Sequence, residues 1–138
     1  ETVLDDAKAK GLKPASVSVV SVGGERRYTA LYRADNIGGW ALKSQILESD
    51  YQGVVNEQLA AGRMPLHLDA YMHDGKPYFA AIFATKYKGK SKARHALTPE
   101  TYQSEAESAW GAGMVTHSVA AFDGAQSQHR YGAVWVKP

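Results

Sequence analysis

The chain has 138 residues, of which 44% are hydrophobic and 22% charged, so one folded domain with its own core is expected and intrinsic disorder is excluded. The formal net charge of +2 gives no support for a nucleic-acid partner, and the sequence has no run of eighteen apolar residues that would predict a membrane span. Without cysteine the chain has no disulfide, no thiolate nucleophile and no thiolate zinc site.

The first predicted elements are a helical segment, a strand, a turn and a second strand. The helix is expected to end at Gly11, and hydrophobic residues alternate in the strand that follows, at Val17 and Val19. A turn at Gly23–Gly24 leads into a strand that begins at Tyr28, because glycine supplies the positive φ of a hairpin turn. The first part of the chain therefore predicts a helix followed by a β-hairpin.

The same succession is predicted twice more, with a short extended segment before each helix, around 40–43 and 92–95. Each helix has one apolar face, formed by Tyr51, Val55 and Leu59 in the middle of the chain and by Tyr102, Ala106 and Trp110 in its last third. The helices are expected to end at Gly62 and Gly113, and Thr98 with Pro99 is an N-terminal capping signal. The hairpins that follow have alternating strands and turns at Leu68, Ala70 and Asp74–Gly75, then at Val119, Ala121 and Asp123–Gly124.

A five-residue aromatic motif closes each of these stretches. It begins at residues 28, 79 and 131, which are 51 and 52 residues apart, and its last copy is Tyr131-Gly132-Ala133-Val134-Trp135. Its first, third and fifth residues share one face of a strand, so the central alanine leaves room for a helix between two rings. A buried core role is predicted, with an exposed sugar-stacking platform as the alternative. Gly132 indicates a close approach on the opposite face.

These markers predict an α+β fold of about two and a half tandem units, with helices packed on antiparallel sheet. The unit boundaries are expected at 1–36 for a partial unit, then 37–86 and 87–138. Each unit buries a face against its neighbour, as stacked repeats do.

The strongest candidate for a functional site lies on one predicted strand of the middle unit. His67, Asp69, Tyr71 and His73 occupy alternate positions, with Leu68, Ala70 and Met72 on the other face. Two imidazoles and a carboxylate could bind a ligand, hold a divalent metal or act as acid and base. The alternative is the solvent face of an amphipathic strand. Ligands two residues apart on a strand are about 7 Å apart, which is wide for one metal, so no metal and no cofactor is predicted.

Arg94 and His95, before the last helix, form a second candidate binding pair. A structural contact with the neighbouring unit is favoured for His95, because no partner acid or base is adjacent. Five cations also alternate here, and a solvated edge is favoured over an anion-binding stripe: Lys86, Lys88, Lys90, Lys92 and Arg94. No nucleophile motif and no phosphate-binding glycine loop is present, so no catalytic residue is predicted.

The last unit resembles the bacterial tandem repeat domain. The resemblance rests on residues 93–98 (Ala-Arg-His-Ala-Leu-Thr), Tyr102-Gln103, Gly113, Gly124 and the motif at 131–135, and it weakens toward the first unit. In the middle unit Lys43-Ser44 stands where Arg94-His95 does. This family occurs in arrays beside serine hydrolases of the β-lactamase type and in polyglycine hydrolases.

The resemblance implies a secreted or periplasmic, non-catalytic module that helps a neighbouring hydrolase domain engage a polymeric substrate, peptide or glycan. Two alternatives remain open at this stage. One is a small metal-binding protein or metal-dependent enzyme that uses His67, Asp69 and His73. The other is a structural module in which a homo-oligomer completes the partial first unit.

Overall fold

The computed structural model describes residues 2–86, 91–123 and 128–137, with side chains from residue 5 onward. Two predicted features, the lysines at 88 and 90 and the glycine at 124, lie outside these residues. The elements are, in chain order, α1 (Thr2–Ala9), β1 (Lys13–Val22), β2 (Glu25–Arg33), β3 (Trp40–Leu47), α2 (Tyr51–Ala60), β4 (Met64–His73), β5 (Lys76–Ala84), β6 (Ser91–Leu97), α3 (Pro99–Gly111), β7 (Val115–Asp123) and β8 (His129–Val136).

The strands form three antiparallel sheets, one in each unit. The first sheet pairs β1 with β2, the second has the order β3-β5-β4, and the third has the order β6-β8-β7. The segments predicted as short lead-ins are full edge strands, so a complete unit is strand, helix and hairpin. Helices and antiparallel sheets both occur, as expected for α+β, but most of the described chain is strand.

The three glycine stops are confirmed and share one geometry. Gly11, Gly62 and Gly113 have φ of 71°, 78° and 80°, the left-handed conformation that glycine adopts without strain. After each of them a backbone amide bonds a carbonyl five residues earlier, as in Arg63 N to Gln58 O at 2.9 Å. Each helix therefore ends in the same capping turn and delivers the chain into the following strand. At the other end of α3, Thr98 and Thr101 form a reciprocal capping box.

The predicted helix faces are wrong in their last residue. Leu59 is 43% exposed and Trp110 48% exposed, whereas Gln58 and Ala109 are buried. A residue seven positions along a helix lies within about 20° of the first, but one eight positions along is about 80° away. The buried stripe therefore runs through i, i+4 and i+7. Trp110 lies outside it and donates from Nε1 to Thr116 Oγ1 at 3.2 Å.

The aromatic motif is core in the two complete units. Ala133 and Trp135 are 0% exposed and pack against Ala106 and Ala109 of α3. In β5, Phe79, Ala81 and Phe83 pack against Tyr51 of α2 in the same way. The first unit differs, since its described sheet has two strands and Tyr28 is 49% exposed.

The middle sheet is buried on both faces, because a neighbouring unit lies on each side. On one face Ala80 and Ile82 pack against Val17 and Val19 of the first unit. On the other face Phe122 of the last unit joins the cluster beneath α2. The predicted close approach at Gly132 is confirmed, because a methyl group placed there would overlap the end of the Leu68 side chain. The three units thus stack in chain order. None of the helices in the described ranges is long and apolar enough to cross a membrane.

Candidate functional site

The four predicted side chains of β4 face the first unit, so the solvent-face interpretation is wrong. Tyr71 is 6% exposed and His73 is 8% exposed, and His67 and Asp69 are half-buried. The sequence brings them together as predicted, on one face of one strand. What the sequence pattern did not reveal is the partner, which is the edge strand of the neighbouring unit.

Three of these side chains bond β1, two of them at backbone groups on its free side and the third at a serine side chain. His67 Nε2 donates to Val17 O at 3.0 Å, and Asp69 Oδ2 accepts from Val19 N at 2.9 Å. His73 Nδ1 lies 2.9 Å from Ser21 Oγ. In the described sheet β1 pairs only with β2, so its outward N–H and C=O groups would otherwise have no strand partner. The predicted cluster therefore satisfies an exposed sheet edge.

Tyr71 links three elements. Its hydroxyl donates to Ser44 O of β3 at 2.6 Å and accepts from Arg26 Nε of β2 at 3.1 Å. Its ring stacks on Tyr78 with centroids 5.6 Å apart, and the Arg26 guanidinium lies 4.7 Å from the Tyr78 ring centre. This contact joins the first hairpin to the middle sheet through a cation and two rings.

Burial changes the ionisation of two of these groups. It raises the pKa of the Asp69 carboxyl, and the hydrogen bond from Val19 N–H offsets part of that effect. Burial likewise raises the pKa of the Tyr71 hydroxyl, against the opposing effect of the Arg26 hydrogen bond. Burial therefore disfavours the ionised form of the Asp69 carboxyl, and the hydrogen bond from Val19 N–H reduces this effect.

The next interface repeats this arrangement with other residues. Ser118 Oγ accepts from Leu68 N at 3.2 Å and donates to Leu68 O at 3.0 Å. Ser118 follows His67 by 51 residues, and Leu68 follows Val17 by the same number. The two interfaces therefore join equivalent residues of successive units. Ser118 was not predicted from the sequence as a site residue, although the repeat spacing identifies it as the counterpart of His67.

The chemistry of the cluster does not favour a metal. His67, Asp69 and His73 each bond a different residue of β1, spread along the strand. Within 2–86, 91–123 and 128–137, no three His, Asp or Glu side chains are arranged to hold a metal ion.

Arg94 and His95 lie at the junction of the middle and last units. The His95 ring packs edge-on against Tyr51 at 4.8 Å and lies 6.5 Å from Phe79, and burial lowers the pKa of its imidazole. Arg94 is exposed and donates from Nη1 to Ala93 O at 2.8 Å. Lys92, one of the five alternating cations predicted to form a solvated edge, instead forms an ion pair with Glu105. His95 thus makes the predicted neighbour contact.

A groove of about 320 Å³ runs beside this junction, between α2 and β6. Gln52, Val55 and Leu59 line it from the helix, and Arg94 and His95 line it from the strand. A second cleft, of about 610 Å³, is lined by residues of all three units, among them Lys13, Leu31, Arg33, Leu66, Lys86 and His117. Both openings lie where units meet.

Three like units, joined through one repeated interface, define a tandem-repeat α+β module. The sequence model of the family described as "Polyglycine hydrolase-like, structural repeat" matches residues 1–34, 38–86 and 88–138 in succession. The chain belongs to this family, which confirms the resemblance found in its sequence. No curated protein matches it.

Proposed function

We propose that the chain is a non-catalytic repeat module that helps an extracytoplasmic hydrolase engage a polymeric substrate, peptide or glycan. Its membership of the polyglycine hydrolase-like structural repeats supports a structural role. The observation that carries the finer proposal is the groove between α2 and β6. Side chains with N–H groups line this groove, and such groups can hydrogen-bond a polymer.

The β4 cluster is a poorer place for such a ligand. Its polar atoms already bond Val17, Val19 and Ser21, so a ligand there would have to displace contacts between units. In the groove, Gln52 donates to Asn56 Oδ1 and Arg94 donates to Ala93 O, but each exposed side chain has further N–H groups that a ligand could bind without breaking a contact between units. Leu59, 43% exposed, offers apolar surface beside them. Donors beside an apolar wall can bind carbonyl or hydroxyl groups of a polymer together with its less polar parts.

The test is a titration of the ¹⁵N-labelled chain with two probes, hexaglycine and a hexasaccharide of N-acetylglucosamine. We expect one probe to shift the amide signals of Gln52, Leu59 and Arg94. Arg94→Ala should weaken that binding about tenfold, the loss of one hydrogen bond to a charged group. Arg33→Ala is the matched control, because Arg33 is an exposed cation of the other cleft.

Two results would count against this proposal. If neither probe shifts the groove signals, the groove is not a polymer site. If Arg33→Ala weakens binding as much as Arg94→Ala, binding is located in the other cleft or depends only on positive charge.

A further inference from the structure

Every unit of this chain presents two different faces to its neighbours. The leading face is the side that contacts the preceding unit, as Tyr71 and Ile82 do in the middle unit. The trailing face is the side that receives the following unit, and it contains Val17 in the first unit and Leu68 in the middle one. The chain therefore contains two copies of one interface, each joining a trailing face to a leading face.

The leading face of the first unit carries two exposed apolar side chains, beside the polar side chains of Ser18 and Thr29. Val20 is 53% exposed and Leu31 is 55% exposed. Their counterparts in the other units are buried in the interfaces, Tyr71 and Phe122 at 6% each, Ile82 at 0% and Val134 at 1%. Val20 and Leu31 keep the hydrophobic character of these positions in the first unit, although more than half of each side chain is exposed.

The trailing face of the last unit is exposed in the same way. Val119 is the counterpart of Val17 and Leu68, which are 4% and 2% exposed, yet Val119 itself is 50% exposed. It lies on β7, an edge strand whose outward backbone groups correspond to those that β1 and β4 offer to the next unit. The trailing face of the last unit thus resembles the surfaces that leading faces contact inside the chain.

The polar groups of the two ends match as well. Ser16 precedes His67 by 51 residues and therefore occupies the position of Ser118, whose hydroxyl bonds both N and O of Leu68. Val119 is the counterpart of Leu68. A hydroxyl from Ser16 of one chain would meet the outward backbone groups of Val119 in another, as Ser118 meets Leu68 within the chain.

We propose that a second copy of this chain docks head to tail, the leading face of its first unit on the trailing face of the last unit of the other copy. The contact continues the interface already present twice inside the chain. It joins unlike faces, so it leaves one free face at each end of a dimer and can propagate. This inference does not rest on the polymer proposal.

The test is sedimentation velocity on two variants, each carrying a charge at one end. Leu31→Asp blocks the leading face and Val119→Asp blocks the trailing face. We expect the unmodified chain to show a mass that rises with concentration, and each variant alone to remain monomeric. An equimolar mixture of the two variants should form dimers and nothing larger, because one functional face of each kind remains.

A third variant controls for the added charge. Val115→Asp changes another exposed valine of β7, 50% exposed, whose counterpart Met64 is 39% exposed despite neighbours on both sides. It should assemble like the unmodified chain. Circular dichroism should show all three variants folded, since the replaced side chains are exposed.

Each contrary result overturns the proposal. A chain that remains monomeric at high micromolar concentration has no such interface. Dimers in either single variant indicate a contact between like faces. A monomeric mixture of the variants shows that the two ends do not recognise each other.

Discussion

Val19 shows, at the scale of single residues, how the backbone groups on the free side of an edge strand are hydrogen-bonded. Its N–H points away from β2 and donates to the Asp69 carboxylate of the next unit at 2.9 Å. A backbone group removed from water needs such a partner, since leaving it unpaired costs about 1–3 kcal/mol. Asp69 is therefore best explained by the strand that it bonds, and not by a reaction.

Asp69→Ala and Asp69→Asn form a matched pair that tests this role. The alanine variant removes the acceptor of Val19 N–H, so we expect it to lower the free energy of unfolding by about 1–3 kcal/mol. The asparagine variant keeps an amide oxygen in that place and removes a charge that burial disfavours. Urea unfolding at pH 7 should show it at least as stable as the unmodified chain. Equal losses in both variants would contradict the hydrogen-bonding role.

The stability difference between the unmodified chain and Asp69→Asn should also depend on pH, in a direction that the pKa of Asp69 determines. Burial raises the pKa of Asp69 from its ordinary 3.8, so the folded state binds the proton more tightly than the unfolded state. The stability contributed by Asp69 is therefore highest at low pH and is lost as pH rises above 3.8 through the folded pKa. Asparagine does not titrate, so the stability of the Asn variant relative to the unmodified chain should rise across that window.

The elements of each unit are assembled around a few small residues. On β8, Ala133 lies against α3 and Gly132 faces the other way, against Leu68 of the middle unit. Two consecutive residues of one strand thus contact different partners, Ala133 the helix of its own unit and Gly132 the preceding unit. Small side chains at both places let the sheet approach two partners at once.

Gly132→Ala tests the second approach. Its added methyl would overlap Leu68, which is 2% exposed in a packed cluster, so we expect a loss of about 1–3 kcal/mol in the free energy of unfolding. Gly111→Ala in α3 is the control, because nothing lies within 4 Å of the new methyl, and alanine should stabilise a helix by about 0.5–1 kcal/mol. Urea titration followed by tryptophan fluorescence measures both. A neutral Gly132→Ala would show that the Leu68 side chain moves aside without cost and would contradict tight packing at this contact.

Much at this scale could be predicted because its causes are local. A glycine at a helix end, a Thr-Pro cap and an alanine between two aromatics each act within one element or one unit, and all three are found as predicted. The strands β3 and β6 were predicted only as short segments. They pair with β5 and β8, residues about forty positions later, so their length depends on partners that no local pattern reveals.

The whole molecule is a stack in which each unit completes the edge of the one before. The spacing of about 51 residues predicted the repeat, and the family match confirms it. The function of the His67 to His73 face could not be predicted in the same way. Histidine, aspartate and tyrosine at alternate positions of a strand are equally compatible with a ligand site, a solvent face and a surface that bonds another unit. Only the position of β1 decides between them.

One measurement tests this joining role most directly, namely amide hydrogen exchange at Val19 and Leu68. In the unmodified chain both amides should exchange slowly, although both lie on the free side of an edge strand. Asp69→Ala should accelerate exchange at Val19 more than at Leu68, and Ser118→Ala should do the reverse. Fast exchange of both amides in the unmodified chain, or variants that leave them equally protected, would contradict the conclusion that these side chains join the units.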